Sequence, residues 1–272
     1  MYTWNDYSAC RFLNSHPARL RHEQLVAILE ELKQLRPAGM ELAEVGRSYE
    51  GRAIYSATLG RGATRVFAWS QMHGNEPTHT ASLLDLMDLL QSQPNSPVAS
   101  TLLGGCTLTL VPMLNPDGAQ RFIRRNAQDI DINRDALHLA TPEGRLLRKL
   151  VGSVKPQFAF NLHNQQARTS VDGKHVAAVS LLVPPIDLPD TPTEFTRQAR
   201  QVAVAFRQAV EPHCQGMISR YDADFMPRCF GEWVQQQGVA TLTVEAGGWS
   251  HRFHQSYWWW YACAEEAMLT SV

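Results

Sequence analysis

Short apolar segments alternate with segments of helical periodicity along most of this 272-residue chain, and this alternation constrains the fold most strongly. The predicted strands are two around the turn Tyr49–Arg52 within Leu42–Leu59, then Arg65–Ser70, Cys106–Val111, Gln157–Leu162, Ala177–Val183 and Val239–Val244. The predicted helices are His22–Leu35, Pro77–Leu90, Thr141–Leu150, Glu194–Val210, Glu232–Gln237 and Ser256–Leu269. Such alternation indicates an α/β protein with a largely parallel, buried sheet.

Length and composition allow one large domain or two small ones, with 44% hydrophobic and 19% charged residues. The segments 94–105 and 112–135 have no helical or strand pattern, so we predict a loop and a long polar segment there. The Pro/Asp-rich connector 184–193 is a candidate domain boundary, but we interpret it as a loop because the alternation resumes after it. We therefore expect a single domain over 1–272, in which 1–45 is a helical N-terminal lead.

The charge balance argues against several classes of partner. The formal net charge is −1, so no basic excess indicates nucleic acid or an anionic membrane. No apolar stretch approaches the ~18 residues of a transmembrane helix, and no signal-peptide pattern opens the chain, which predicts a cytoplasmic protein.

The five cysteines form no Cys-x-x-Cys pair, so we expect reduced, mostly buried thiols rather than a thiolate zinc cluster.

Polar side chains stand at the ends of three predicted strands, where ligands bind in such sheets. His73 and Glu76 follow one strand, His163 ends another, and Glu245 ends a third. Two histidines and one glutamate can hold zinc and leave a fourth position for water, while Glu245 suits the general base. Taken singly, each residue also has a structural interpretation. His79 extends the His-x-x-Glu pattern, but Pro77 interrupts any helix through it, so we assign His79 to the helix surface or to an outer contact.

The polar segment carries two more candidate elements. Asn115-Pro116-Asp117-Gly118 has the composition of a turn. The adjacent Arg124 and Arg125 are typical of a solvated face, whereas the pair Asn133-Arg134 is a candidate clamp for a carboxylate, which guanidinium binds with two parallel hydrogen bonds.

Taken in order, these residues resemble the motifs of the zinc carboxypeptidase family, typified by pancreatic carboxypeptidase A. The matching elements are His73-x-x-Glu76, Asn115-Pro116-Asp117-Gly118, Arg124-x-Asn126, Asp131-Ile132-Asn133-Arg134, Leu162-His163 and Val244-Glu245. The resemblance implies a single α/β domain with a mixed, mainly parallel sheet flanked by helices. It also implies one zinc ion held by His73, Glu76 and His163.

The same resemblance assigns roles around that ion. Glu245 would be the general base and acid, and Arg124 would stabilise the oxyanion. Asn133 and Arg134 would hold the terminal carboxylate of a peptide or amino-acid-amide substrate. Tyr221, 24 positions before Glu245 (245 − 221), is the candidate counterpart of the mobile substrate-binding tyrosine.

The chain departs from the digestive members at two places near these motifs. Digestive members place a tyrosine just after the third ligand, whereas Asn164 follows it here. Asp135 stands where many members carry asparagine. We interpret the acid at 135 as weakening the hold on a carboxylate or favouring a cationic substrate. The chain most resembles the short bacterial-type branch of the family.

Three functions are compatible with this pattern. We predict a zinc metallocarboxypeptidase that cleaves a C-terminal amide bond. The alternatives are a murein-peptide amidase or an N-acyl-amino-acid deacylase of the same superfamily, and a non-catalytic zinc-binding or peptide-binding module.

Overall fold

The computed structural model describes residues 20–212, 214–221 and 224–247. Residues 1–19 of the N-terminal lead and the helix predicted at Ser256–Leu269 lie outside the described residues. Within the described ranges no helix combines the length and apolar character needed to cross a membrane.

Eight strands of the described residues form one mixed sheet, and the predicted α/β class is confirmed. The strands are β1 (Met40–Arg47), β2 (Ala53–Leu59), β3 (Thr64–Ser70), β4 (Cys106–Val111), β5 (Phe158–Asn164), β6 (Val179–Leu182), β7 (Ile218–Arg220) and β8 (Ala240–Ala246). Their order across the sheet is β1-β2-β4-β3-β5-β8-β6-β7. The central strands β4, β3, β5 and β8 pair in parallel, so their carboxyl ends meet at one edge.

Helices cover both faces of this sheet. They are α1 (His22–Leu35), α2 (Thr78–Ser92), α3 (Pro97–Gly105), α4 (Pro116–Arg121), α5 (Pro142–Val154), α6 (Glu194–Val210) and α7 (Phe230–Gln236), with a 3-10 turn at Ile132–Arg134. One apolar cluster packs α1, α2 and α6 on one face, and a second packs α5 and α7 on the other. The central strands are therefore buried on both sides, which explains their continuous apolar runs.

The loop predicted at 94–105 is wrong, because α3 occupies most of it. Ser96 caps this helix by accepting a hydrogen bond from Ala99 N–H, and Pro97 stands at its first position, where no N–H is needed. The two glycines at its end, Gly104 and Gly105, concealed the helix in the sequence pattern.

The Pro-rich connector 184–193 links β6 to α6 within this one sheet, so it is a loop, as we predicted. The edge strand β7 has three residues and was not predicted, because so short a segment carries no periodicity. The polar segment 112–135 contains α4 and the 3-10 turn, separated by loops.

Candidate active site

His73, Glu76 and His163 converge at the carboxyl edge of the central strands. One potential ligand atom from each lies within 4.8 Å of the other two, and all three residues are buried. The Nδ1 atoms of both histidines lie 2.8 Å from the Glu76 carboxylate, one at each oxygen. The two imidazoles and the carboxylate therefore present their donor atoms to one common point.

A reversal of the chain after β3 brings His73 and Glu76 to this point. Gln71 adopts a left-handed conformation (φ 51°), which turns the backbone sharply at the strand's end. Glu76 N–H then donates to His73 C=O and closes the turn. Gly74 is required between them because a Cβ there would lie 2.0 Å from the carbonyl carbon of Gly118 in α4. The turn is therefore held against α4 as well as by β3.

Strand register places the other two residues. His163 on β5 lies directly beside Glu245 on β8 in a parallel pairing, so their side chains leave the same face of the sheet. Burial raises the pKa of the Glu245 carboxyl, partly opposed by the nearby His163. A raised carboxyl pKa suits a group that takes and returns a proton near neutral pH.

Asp131 is a site residue to which the sequence assigned no role. Its Oδ1 lies 3.0 Å from His73 Nε2, and its Oδ2 accepts a hydrogen bond from Arg124 Nε at 3.1 Å. Burial opposes ionisation of Asp131, but His73 and Arg124 hold its pKa well below the usual range. Because His73 Nε2 donates to Asp131, its Nδ1 is left free to bind a metal.

We expect Asp131→Asn to weaken zinc binding by roughly 10- to 100-fold, because the carboxylate fixes the ring and tautomer of His73. Competition with a chromogenic chelator would measure this affinity. Asp129→Asn is the matched control, since among the described residues the Asp129 carboxylate pairs with the exposed Arg125 on the same loop and not with the cluster. Equal zinc affinity in wild type and Asp131→Asn would contradict the assignment.

Two arginines border the cluster. Arg124 Nη1 lies 3.3 Å from Glu76 Oε1, and 45% of its side chain is exposed, so the guanidinium stands at the mouth of the site. Arg134 is half-buried and donates from Nη1 to Asn133 C=O and Cys229 Sγ. Among the described residues no acid lies within ion-pair distance of Arg134, which leaves its charge available for an anion.

Asn133 connects this arginine to the cluster. Its Oδ1 accepts the N–H of Phe230 at 2.9 Å, and its Nδ2 approaches His163 Nε2 at 3.5 Å. The amide is thus fixed at the start of α7, beside the third ligand. Cys229 is not a nucleophile candidate, because burial raises the pKa of its thiol to about 12.

Tyr221 lies elsewhere. It follows β7, which is parallel to β6, and β6 is antiparallel to β8. The chain therefore leaves the sheet at Tyr221 in the direction opposite to that at Glu245. Its side chain lines a separate cavity of about 490 Å³ between β6, β7 and α6. Within the described ranges it makes no hydrogen bond to the cluster, and its substrate role stays a prediction.

The two departures from the family pattern now have structural explanations. Asn164 N–H donates to Glu76 Oε2 at 3.1 Å, so this residue supports the carboxylate of the cluster. The carboxylate of Asp135 is buried and accepts hydrogen bonds from Ala140 N–H, Thr141 N–H and the Thr141 hydroxyl, and its effect on substrate binding stays a prediction. Asp135 therefore stabilises the start of α5.

The donor set is compatible with zinc binding. Two imidazole nitrogens and one carboxylate match the three protein ligands of hydrolytic zinc sites, which keep a fourth position open. His79 lies outside this group. It is buried on α2 and not on a helix surface, and its hydrogen bonding to the backbone of His163 agrees with the alternative of an outer contact. Burial lowers its pKa to about 4.

Comparison with known proteins agrees with this geometry. Residues 25–245 match the family model described as zinc carboxypeptidase, and the chain belongs to this family. A metallo-carboxypeptidase from Burkholderia cenocepacia has a similar fold, with a TM-score of 0.75 at 21% identity over 91% of this chain and 69% of its own. A metallo-carboxypeptidase from Pseudomonas aeruginosa, solved with (2-guanidinoethylmercapto)succinic acid, gives a TM-score of 0.71 at 19% identity, over 92% of this chain and 68% of its own.

Curated relatives match over shorter segments. Carboxypeptidase 2 of Trichophyton rubrum is 35% identical over 99 residues, which are 36% of this chain and 18% of that protein. Carboxypeptidase E of Caenorhabditis elegans is 30% identical over 133 residues, covering 41% of this chain and 28% of its own length. The chain thus spans less than a third of the length of either relative.

Proposed function

We propose that this protein is a zinc-dependent carboxypeptidase that hydrolyses the C-terminal amide bond of a peptide. The observation that carries the proposal is the buried His73–Glu76–His163 cluster with Glu245 beside it on the next strand. Zinc held by the three ligands would supply a Lewis acid that lowers the pKa of water and polarises a carbonyl. Side chains of the protein transfer the proton, stabilise the developing charge and bind the substrate.

Glu245 is the proton carrier in this proposal. Its carboxylate takes a proton from the attacking water and delivers it to the nitrogen of the leaving amine. Burial raises the pKa of this carboxyl, which makes the carboxylate a stronger base towards the attacking water. Arg124, whose guanidinium stands at the mouth of the site, stabilises the negative charge that develops on the carbonyl oxygen.

Asn133 and Arg134 determine which peptide bond is hydrolysed. Arg134 has no acidic partner among the described residues and binds the free terminal carboxylate of the substrate, with the Asn133 amide beside it. Only the last peptide bond of a chain then lies over the cluster. This requirement separates an exopeptidase from an enzyme that cuts within a chain.

We expect Arg134→Ala to raise KM for peptides with a free carboxylate by roughly 10- to 100-fold, because a charged hydrogen-bond partner is lost. C-terminally amidated peptides of the same sequence are the matched substrates and should lose little. Steady-state kinetics on both sets measures the difference. An equal loss on both would remove Arg134 from the clamp.

A deacylase of the same superfamily would use the same cluster on an N-acyl amino acid, and a murein-peptide amidase would use it on murein peptides. Hydrolysis of defined peptides, murein peptides and N-acyl amino acids, followed by mass spectrometry of the products, separates these activities. Release of a single C-terminal residue from ordinary peptides supports the proposal. Faster hydrolysis of the acyl compounds would overturn it, and no hydrolysis at full zinc occupancy would favour a binding module.

A further inference from the structure

We propose that Glu143, a buried residue of α5 to which the sequence assigned no role, is a positioning residue that fixes Arg124 at the site through Asn126. The inference rests on the proposed function for its effect on catalysis. The anchoring of the loop by Glu143 rests only on contacts between described residues.

Arg124 lies on the loop between α4 and the 3-10 turn, and Asn126 organises this loop. The Oδ1 of Asn126 accepts the N–H groups of Gln128 at 3.0 Å and Ile130 at 3.1 Å. The backbone N–H of Asn126 donates to Ile130 C=O at 3.0 Å. One buried amide therefore closes the loop whose two ends carry Arg124 and Asp131.

The other end of the Asn126 amide is held by Glu143. Asn126 Nδ2 donates to Glu143 Oε2 at 3.0 Å, and the backbone N–H of Tyr49 donates to Glu143 Oε1 at 3.1 Å. Both side chains are buried, with exposures of 0% for Glu143 and 1% for Asn126. Glu143 stands in the first turn of α5, where burial raises the pKa of its carboxyl and hydrogen bonds from Asn126 and from backbone N–H groups partly oppose this rise. The carboxyl thus joins the loop to α5 and to the β1–β2 turn.

The backbone of Arg124 has its own support, which leaves little freedom to the loop. Its C=O accepts the N–H of Gly74 at 3.3 Å, from the turn that carries the first two ligands. Its side chain then reaches Asp131 and Glu76. A guanidinium that stabilises a developing oxyanion must be placed before the reaction starts, and a shift of about 1 Å can cost up to about 100-fold in rate.

Glu143→Gln tests this chain of contacts. A glutamine offers one acceptor to Tyr49 N–H but turns an N–H donor towards the donor on Asn126, so one buried hydrogen bond is lost. The double variant Asn126→Asp with Glu143→Gln exchanges donor and acceptor and restores the bond. Gln91→Leu is the control for general destabilisation, because buried Gln91 donates to Leu32 and Arg36 carbonyls near α1, away from the loop.

The first readout is amide hydrogen exchange in the zinc-loaded protein. We expect the Gln128 and Ile130 amides to exchange about tenfold faster in Glu143→Gln, the effect of one lost buried hydrogen bond. The exchange rates should return towards wild type in the double variant and stay unchanged in Gln91→Leu. Unchanged rates in Glu143→Gln would overturn the anchoring.

The second readout is kcat. We expect Glu143→Gln to lower kcat by roughly 10- to 100-fold with little change in KM, because Arg124 acts on the transition state. In an Arg124→Ala background the same change should cost no more than about twofold, since the two residues act as one unit. An equal loss in both backgrounds would mean that Glu143 does not act through Arg124. If the wild type hydrolyses no peptide, the proposed function fails, while the exchange rates still decide whether Glu143 holds the loop.

Discussion

Replacing Glu245 by glutamine should lower kcat by about 10³-fold and leave the zinc content at the wild-type level. Glutamine keeps the shape of the side chain but cannot accept and return a proton. The three ligands lie on other residues, so the cluster should still bind its ion. Single-turnover hydrolysis and elemental analysis on the same protein sample measure both quantities.

Glu44→Gln is the matched control for this change. Glu44 lies on β1 in an exposed pair with Arg47, far from the cluster, and its loss should not alter kcat. If Glu245→Gln retained wild-type activity, another group would have to move the proton. Loss of zinc together with activity would instead place Glu245 among the ligands.

Removing the third ligand should have a different signature. We expect His163→Ala to lose zinc and activity together. Its zinc affinity should fall by more than the roughly 10- to 100-fold expected when a residue that only hydrogen-bonds to a ligand is replaced. His163 is 3% exposed, and its Nδ1 faces the Glu76 carboxylate at 2.8 Å, so the variant removes one ligand atom from the buried cluster. Equilibrium dialysis against zinc, followed by a peptidase assay, checks both effects.

His175→Ala provides the comparison for a histidine outside the site. His175 is exposed and pairs with Asp172 on the loop after β5. That variant should keep both zinc and activity. A His163→Ala protein that still binds one ion at wild-type affinity would contradict the ligand set.

The sequence predicted the position of the cluster well, because its residues follow apolar runs that could be recognised as strands. His163 and Glu245 are separated by 82 positions in sequence (245 − 163), yet parallel pairing places them side by side. The carboxyl ends of parallel strands share one edge, so residues there meet without any further information about loops.

The contacts that orient the cluster could not be predicted in the same way. Asp131 reaches His73 across 58 positions, and Glu143 reaches Tyr49 across 94. Both contacts depend on how the polar segment 112–135 folds back, and that segment has no apolar periodicity to indicate its path. Asp135 illustrates the same limit, since its place beside the clamp suggested an effect on substrate binding, and its hydrogen bonds to the start of α5 could not be predicted.

Zinc titration of the metal-free protein tests the central claim most directly. The chain would be stripped with a chelator, and release of the C-terminal residue from a defined peptide would be followed as zinc is added back. We expect no release without metal and a linear rise that ends at one zinc per chain. Release that persists after complete removal of the metal, or no release at one zinc per chain, would contradict it.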